Sequence, residues 1–223
     1  MQKEIHIFRE VEREDYARFH SRMLGQAREL AGELGPGSLR ITLTTGPLPR
    51  LSVIPFRRDK IAVISITGSG KSPLEMTANM DGFTGAYRVE EAIPLAYEKN
   101  WADGTATPGI CLLTLFHRKP GISREQFMAR WHEGHTPLSL RLHPLYNYNR
   151  NVVTGELTGA SPWFDGIVEE QFREKGDLLN PLRFFGPPLK VPGHMLEVWK
   201  DSRGFIDMKR IEIYLATEYH IVS

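Results

Sequence analysis

Apolar and polar residues alternate over 4–9, with Ile5 and Ile7 on one face, and that period of two predicts a strand. The period then changes. Tyr16, Phe19, Met23, Ala27, Leu30, Ala31 and Leu34 follow at three- and four-residue steps, with Arg13, Glu14, Arg18 and Arg22 between them. This pattern predicts an amphipathic helix, stopped by Gly35-Pro36-Gly37. Strands are predicted over 39–45 and 60–67, the second apolar enough to be central, with a proline-containing loop between them. A turn over 68–72, a short helix over 73–80 and a strand over 86–93 complete the order β, α, β, β, α, β.

Asn100, Asp103, Gly104, Thr105, Thr107 and Pro108 are loop formers and mark a boundary, which divides the chain into modules 1–106 and 107–223. The order then repeats. A strand over 110–117 leads to the stretch 120–151, around which the chain is organised. Pro120-Gly121 makes a turn, and Ser123 stands as N-cap with Gln126 three residues on, the spacing of a capping box. Phe127, Trp131, Gly134, His135 and Leu138 recur at helical spacing, and Glu125, Arg130 and Glu133 take the other side. Pro137 limits the first regular turns, because it lacks an N–H and crowds the residue before it. A second short helical run reaches Leu142, and strands are predicted over 146–154, 163–172 and 211–222, with a turn over 155–161. The section 173–204 carries Pro181, Pro187, Pro188 and Pro192 and little clean periodicity. It is expected to lie over the surface with one short helix near 181–185. The two halves also share a faint likeness: Arg13-Glu14 with Phe19-His20 in the first, Arg124-Glu125 with Trp131-His132 in the second.

Composition narrows the class. The 223 residues are 41% hydrophobic and 25% charged, as in globular proteins, with a formal net charge of +1. So small a charge gives no bulk attraction to nucleic acid or an anionic membrane, and neither is expected as a partner. The single cysteine, Cys111, excludes an internal disulfide and fits a reducing compartment. The N-terminal residues lack an apolar signal core, and no apolar run approaches membrane-spanning length, so a cytoplasmic location is expected.

His135 is the best candidate for chemistry. An imidazole gives or takes a proton near neutrality, and burial beside Trp131 and Phe127 would keep it neutral and suited to act as a base. The competing reading is a core histidine satisfied by a backbone carbonyl. His132 projects near His135, but two histidines three apart lack a marked third ligand, and HEGH fails the spacing of zinc proteases, so no metal is expected. Gly68-Ser69-Gly70-Lys71-Ser72 fails the phosphate-loop pattern, since Ser65 stands where its first glycine belongs. No glycine-rich dinucleotide fingerprint follows a strand. Cys111 lies mid-strand, a packing position. Arg118-Lys119 and the cluster Arg57-Arg58 with Lys60 read as solvated loops.

The run RKPGISREQFMARWHEGHTPL, followed by WFDGIVEEQF and DSRGFIDMKR, resembles an EthD domain of the dimeric α+β barrel superfamily over roughly 110–223. The resemblance implies a ferredoxin-like βαββαβ module whose sheets pair into a barrel around a cavity. With the faint repeat, it predicts an α+β fold of two such modules in tandem, one chain supplying both halves of the barrel. It also implies that His135 is the family's recurring polar residue. In such a barrel the strand faces bearing Tyr146, Tyr148 and Arg150, and Glu212, Tyr214, Glu218 and His220, would look into the cavity, with Trp131 and His132 beside it. The other reading of these faces is a solvated exterior. Trp163, Phe164, Phe184 and Phe185 would wall the pocket or pack the core. Tyrosine and arginine donate, glutamate accepts and rings stack, which suits a polar aromatic ligand.

The expectation is a cofactor-independent lyase or isomerase acting on an aromatic, lactone or polyketide-like small molecule. His135 would move a proton, and Tyr148 or Arg150 would stabilise the developing oxyanion. Trp131, His132, Tyr146, Tyr214, Glu218 and His220 would hold the substrate. A non-catalytic binding module and a haem or oxygen-using barrel are the alternatives. Neither cofactor nor metal is expected, and a homodimer is.

Overall fold

The computed structural model describes residues 2–35, 37–159 and 161–223; Pro36 in the predicted helix stop and position 160 in the predicted turn lie outside the described residues. Its elements are β1 (Lys3–Arg9), α1 (Tyr16–Leu34), β2 (Ser38–Thr44), β3 (Ile61–Thr67), α2 (Pro73–Thr77), β4 (Phe83–Leu95) and β5 (Ile110–Phe116). There follow α3 (Arg124–Ala129), a π-helical turn (Arg130–His135), α4 (Thr136–Leu142), β6 (Leu145–Glu156) and β7 (Gly166–Phe172). The chain ends with α5 (Lys175–Leu179), α6 (Pro181–Phe184), α7 (Val191–Phe205) and β8 (Glu212–Val222).

All eight strands join one closed barrel in the order β1-β3-β2-β8-β5-β7-β6-β4, with β4 returning to β1 and every pairing antiparallel. Each half contributes four strands in the same order, β4-β1-β3-β2 and β8-β5-β7-β6, the ferredoxin-like arrangement expected from the sequence. The seams are β2 on β8 and β6 on β4. A single chain therefore satisfies both pairs of sheet edges that would otherwise stay open.

Most strands bury two faces. Inward, Ile5, Ile7, Val63, Leu113, Ile167 and Tyr214 fill part of the barrel. Outward, α1 lays Phe19, Met23, Ala27 and Leu30 on Leu39, Ile41 and Ile64 of the first half. Over the second half, Phe127, Trp131 and Phe205 pack on Phe116, Tyr148, Val152 and Val168. Two buried faces explain the near-continuous apolar runs at 61–66 and 110–116.

Two departures from the sequence reading matter for the site. First, 173–204 is not loop with one short helix: it holds α5, α6 and the fifteen-residue α7. Pro181 and Pro192 stand in the first turns of α6 and α7, where a missing N–H costs nothing, so the prolines start helices rather than break them. The weak period follows from burial, since only Phe205 of α7 is fully buried. Second, the organising helix is capped as expected, with the Ser123–Gln126 box formed, but it passes through a π-helical turn before Pro137. The wider turn accommodates a residue that cannot donate to the carbonyl four positions back. Thr136 N–H instead reaches the Trp131 carbonyl.

Candidate active site

Between the helices of the second half and the outer face of its sheet lies a cavity of about 190 Å³. Its walls are largely apolar: Leu112, Phe116 and Val168 from the sheet, Trp131 from the π-helical turn, and Phe184 and Phe205 from later helices. The loop between β2 and β3 brings Val53, Ile54 and Pro55 across from the first half. The polar groups lining it are few: Thr114, His135, Ser139, His143, Tyr148, Glu170 and Ser202.

His135 is held from both sides. Its Nδ1 lies 2.6 Å from Asp201 Oδ2 on α7, and its Nε2 lies 3.3 Å from Ser139 Oγ, one turn on. A carboxylate on Nδ1 fixes that nitrogen as the N–H and leaves Nε2 as the lone-pair side. Glu170 sits on β7, directly across the ladder from Tyr148 on β6 and Leu112 on β5. Burial pushes its carboxyl up to about 7, against the pull of His135. No described group donates a hydrogen bond to it. Tyr148 is buried, and burial holds its phenol above the ordinary value, so it stays a proton donor. His143 is pushed down to about 4 by burial, against the Phe184 carbonyl that its Nδ1 donates to at 3.0 Å, so its ring is neutral.

The residues singled out in the sequence separate into groups. His135, Trp131 and Tyr148 meet at this cavity. The expectation that the Tyr148–Arg150 face looks into the barrel is corrected: that face points outward beneath the helices. Tyr148 packs with Trp131, and Arg150 Nη1 donates to Thr136 Oγ1 at 2.7 Å. The barrel closes with the other face of β6 inward, because Val153 belongs with the interior cluster and Val152 with the helices. The His132 ring lies tilted against Trp131, and its Nε2 is buried without a partner among the described residues; burial and then Arg150 lower its tendency to protonate.

Tyr146 lies elsewhere, in an open groove of about 610 Å³ beside Tyr97 and Trp101, where its hydroxyl donates to the Pro108 carbonyl. That groove is the larger, but the polar residues gathered there include no histidine. Glu218 and His220 do face the barrel interior, as expected. Tyr97 Oη bridges them at 2.6 and 2.7 Å, and Thr107 donates to Glu218. Burial opposes ionisation of Glu218, but His220, Arg40 and Tyr97 outweigh it and hold the carboxyl below the usual range. Tyr214 also points inward, its hydroxyl donating to Glu212 at 2.6 Å and lying 3.0 Å from Asp59. These three are therefore on the far side of the sheet from His135. Phe184 and Phe185 do wall the cavity, whereas Phe164 fills the barrel and Trp163 is partly exposed.

Glu170 and Asp201 were not singled out in the sequence. The one available signal for Glu170 was the pair Glu169-Glu170 inside an apolar strand: alternation sends one inward and the other to the cavity. Asp201 gave none, because α7 itself went unrecognised.

Residues 119–208 match the EthD domain. The match spans the organising helix, β6, β7 and all of α7, and so includes His135, Tyr148, Glu170 and Asp201. No curated protein matches the chain by sequence. Three solved structures share the fold across nearly the whole chain. An anthrone oxidase-like protein superimposes with a TM-score of 0.60 at 9% identity, covering 100% of this chain and 94% of its own. A candidate monooxygenase from Fusobacterium nucleatum gives 0.52 at 9%, covering 99% and 92%. Another from Lactobacillus acidophilus gives 0.50 at 9%, covering 100% and 98%. The matched stretch lies in the second half of the barrel and takes in two of its strands, β6 and β7, with β5 and β8 on either side of it. No described helix is long and apolar enough to cross a membrane.

Proposed function

We propose that this chain is a cofactor-independent enzyme that moves a proton on a small, largely apolar molecule, of aromatic, lactone or polyketide type, within the helix–sheet cavity. The observation that carries the reading is one cavity holding both a carboxylate-anchored histidine and a buried carboxyl that titrates near 7. An oriented imidazole beside a buried carboxyl, in an apolar chamber, suits general acid–base work.

His135 Nε2 takes a proton from an acidic C–H of the substrate. Asp201 keeps the ring in the required tautomer and stabilises the imidazolium that forms. Glu170, in its neutral form, or Tyr148 donates a hydrogen bond to the substrate oxygen on which charge develops. The carbanion or enolate then picks up a proton at a new position, giving an isomerase, or expels a leaving group, giving a lyase. Arg150 is bonded to Thr136 beneath the helix and is assigned no contact with the reacting atoms.

A second reading shares the first step. The neighbours described as monooxygenases and as anthrone oxidase-like favour an enolate that meets dioxygen instead of a proton. The shared step is tested by NMR of aryl ketones, anthrone included, in D2O. The protein should accelerate exchange of the acidic C–H, and His135→Ala should lower that rate by roughly 10²–10⁴. Exchange no faster than in buffer, or unchanged in the variant, removes the proposal. Product formation that requires dioxygen would select the second reading.

A further inference from the structure

The helices that roof this cavity turn an apolar and basic face to solvent. On α7, Pro192, Leu196, Trp199 and Arg203 follow at four-, three- and four-residue steps and form one stripe. Leu196 and Trp199 are 48% and 49% exposed, and Leu189 just ahead of the helix is 98% exposed. The β2–β3 loop joins this surface, since Ile54 and Phe56 pack on the same cluster as Val191, Met195 and Val198 of α7. That loop leaves Leu51 91% exposed. Scattered exposed leucines are ordinary, but a run of them beside a tryptophan marks an interaction surface.

Charge says what kind. The two acids of α7 are engaged, Glu197 by Arg141 at 2.5 Å and Asp201 by His135 at 2.6 Å. Lys190, Lys200 and Arg203 have no acidic partner among the described residues, and Arg203 lies 4.2 Å over the Trp199 ring. The face is therefore cationic as well as apolar. Two copies meeting through it across a twofold axis would set these cations against their own equivalents. The strand edges that could recruit a second copy are already paired within the chain.

We propose that this face docks reversibly on an anionic lipid bilayer. Trp199 and the leucines would enter the interfacial layer while Lys190, Lys200 and Arg203 meet the lipid phosphates. The contact is peripheral, made by side chains of a folded surface. It would set the roof of the cavity, and the loop bearing Val53, against the source of an apolar substrate. The net charge of +1 does not oppose this, because attraction within a Debye length depends on the local cations.

The test is sedimentation of the full chain with vesicles of phosphatidylglycerol and phosphatidylcholine in equal parts, and with phosphatidylcholine vesicles alone. The protein should pellet with the first at low salt and leave them at high salt. The pairs Leu196→Ser with Trp199→Ser, and Lys200→Glu with Arg203→Glu, should each lower the bound fraction by roughly tenfold or more. Their circular dichroism and thermal midpoint should match wild type. Absence of binding to both vesicles, or binding untouched by both pairs, overturns the proposal. So does a solution dimer abolished by the Leu196–Trp199 pair. Turnover is not read, so this outcome is independent of whether His135 acts as a base.

Discussion

Replacing Glu170 by glutamine keeps the side chain's shape and removes its titration. A carboxyl moved from an ordinary 4.5 to about 7 corresponds to about 3 kcal/mol of pH-dependent stability. The sign follows from proton binding. Below about pH 4.5 folded and unfolded chains both hold the proton, and the stabilising preference is fully present. As pH rises toward 7, the unfolded chain releases its proton first, so stability falls, and above 7 the contribution is gone. Glu170→Gln lacks this fall. Urea unfolding of both proteins at several pH values isolates the effect as a difference, which cancels the other titrating groups. Wild type should lose about 3 kcal/mol relative to the variant across this window. For a chain of this size that is roughly 6–12 °C in Tm. Parallel pH profiles for the two proteins, or a wild type that gains on the variant as pH rises, would refute the burial argument.

Three further outcomes are expected. Asp201→Asn should lower kcat roughly 10- to 100-fold with KM little changed, because it loosens the imidazole without altering the cavity wall; a raised KM at wild-type kcat would deny Asp201 a positioning role. Gly166→Ala should cost about 1–3 kcal/mol in urea unfolding. A Cβ there would come within 2.5 Å of Phe116 and 2.7 Å of Trp131, both rigid rings of the cavity wall, and an unchanged midpoint would show that the rings yield freely. We also propose that 1–106 and 107–223 are the two modules of the chain. Expressed separately, each leaves two strand edges open, β2 and β4 in the first and β6 and β8 in the second. Each half should self-associate in sedimentation velocity and recover a one-to-one complex on mixing; a folded monomeric half would contradict this.

The sequence by itself determined the eight strands, the helix α1 and the organising helix, and their order. Strand alternation, the apolar stripe of α1, the Ser123 cap and the loop formers at 98–108 are local signals, written in residues a few positions apart. They sufficed for a βαββαβ first half, for the strands and first helix of the second, and for His135 on an apolar helix face, but not for α7. What only the tertiary structure decided was which side of each strand faces what. A strand buried on both faces shows no polar side, so Tyr148 and Glu218 looked equally like cavity residues, yet one lies under the helices and the other inside the barrel. The partners of His135 were likewise beyond reach. Asp201 is 66 residues away on a helix whose pattern is blurred by exposure, and their 2.6 Å contact exists only because α7 crosses the organising helix. Glu170 carries an ordinary glutamate's chemistry in the sequence and becomes a group titrating near neutrality only when the packed sheet and helices remove water from around it.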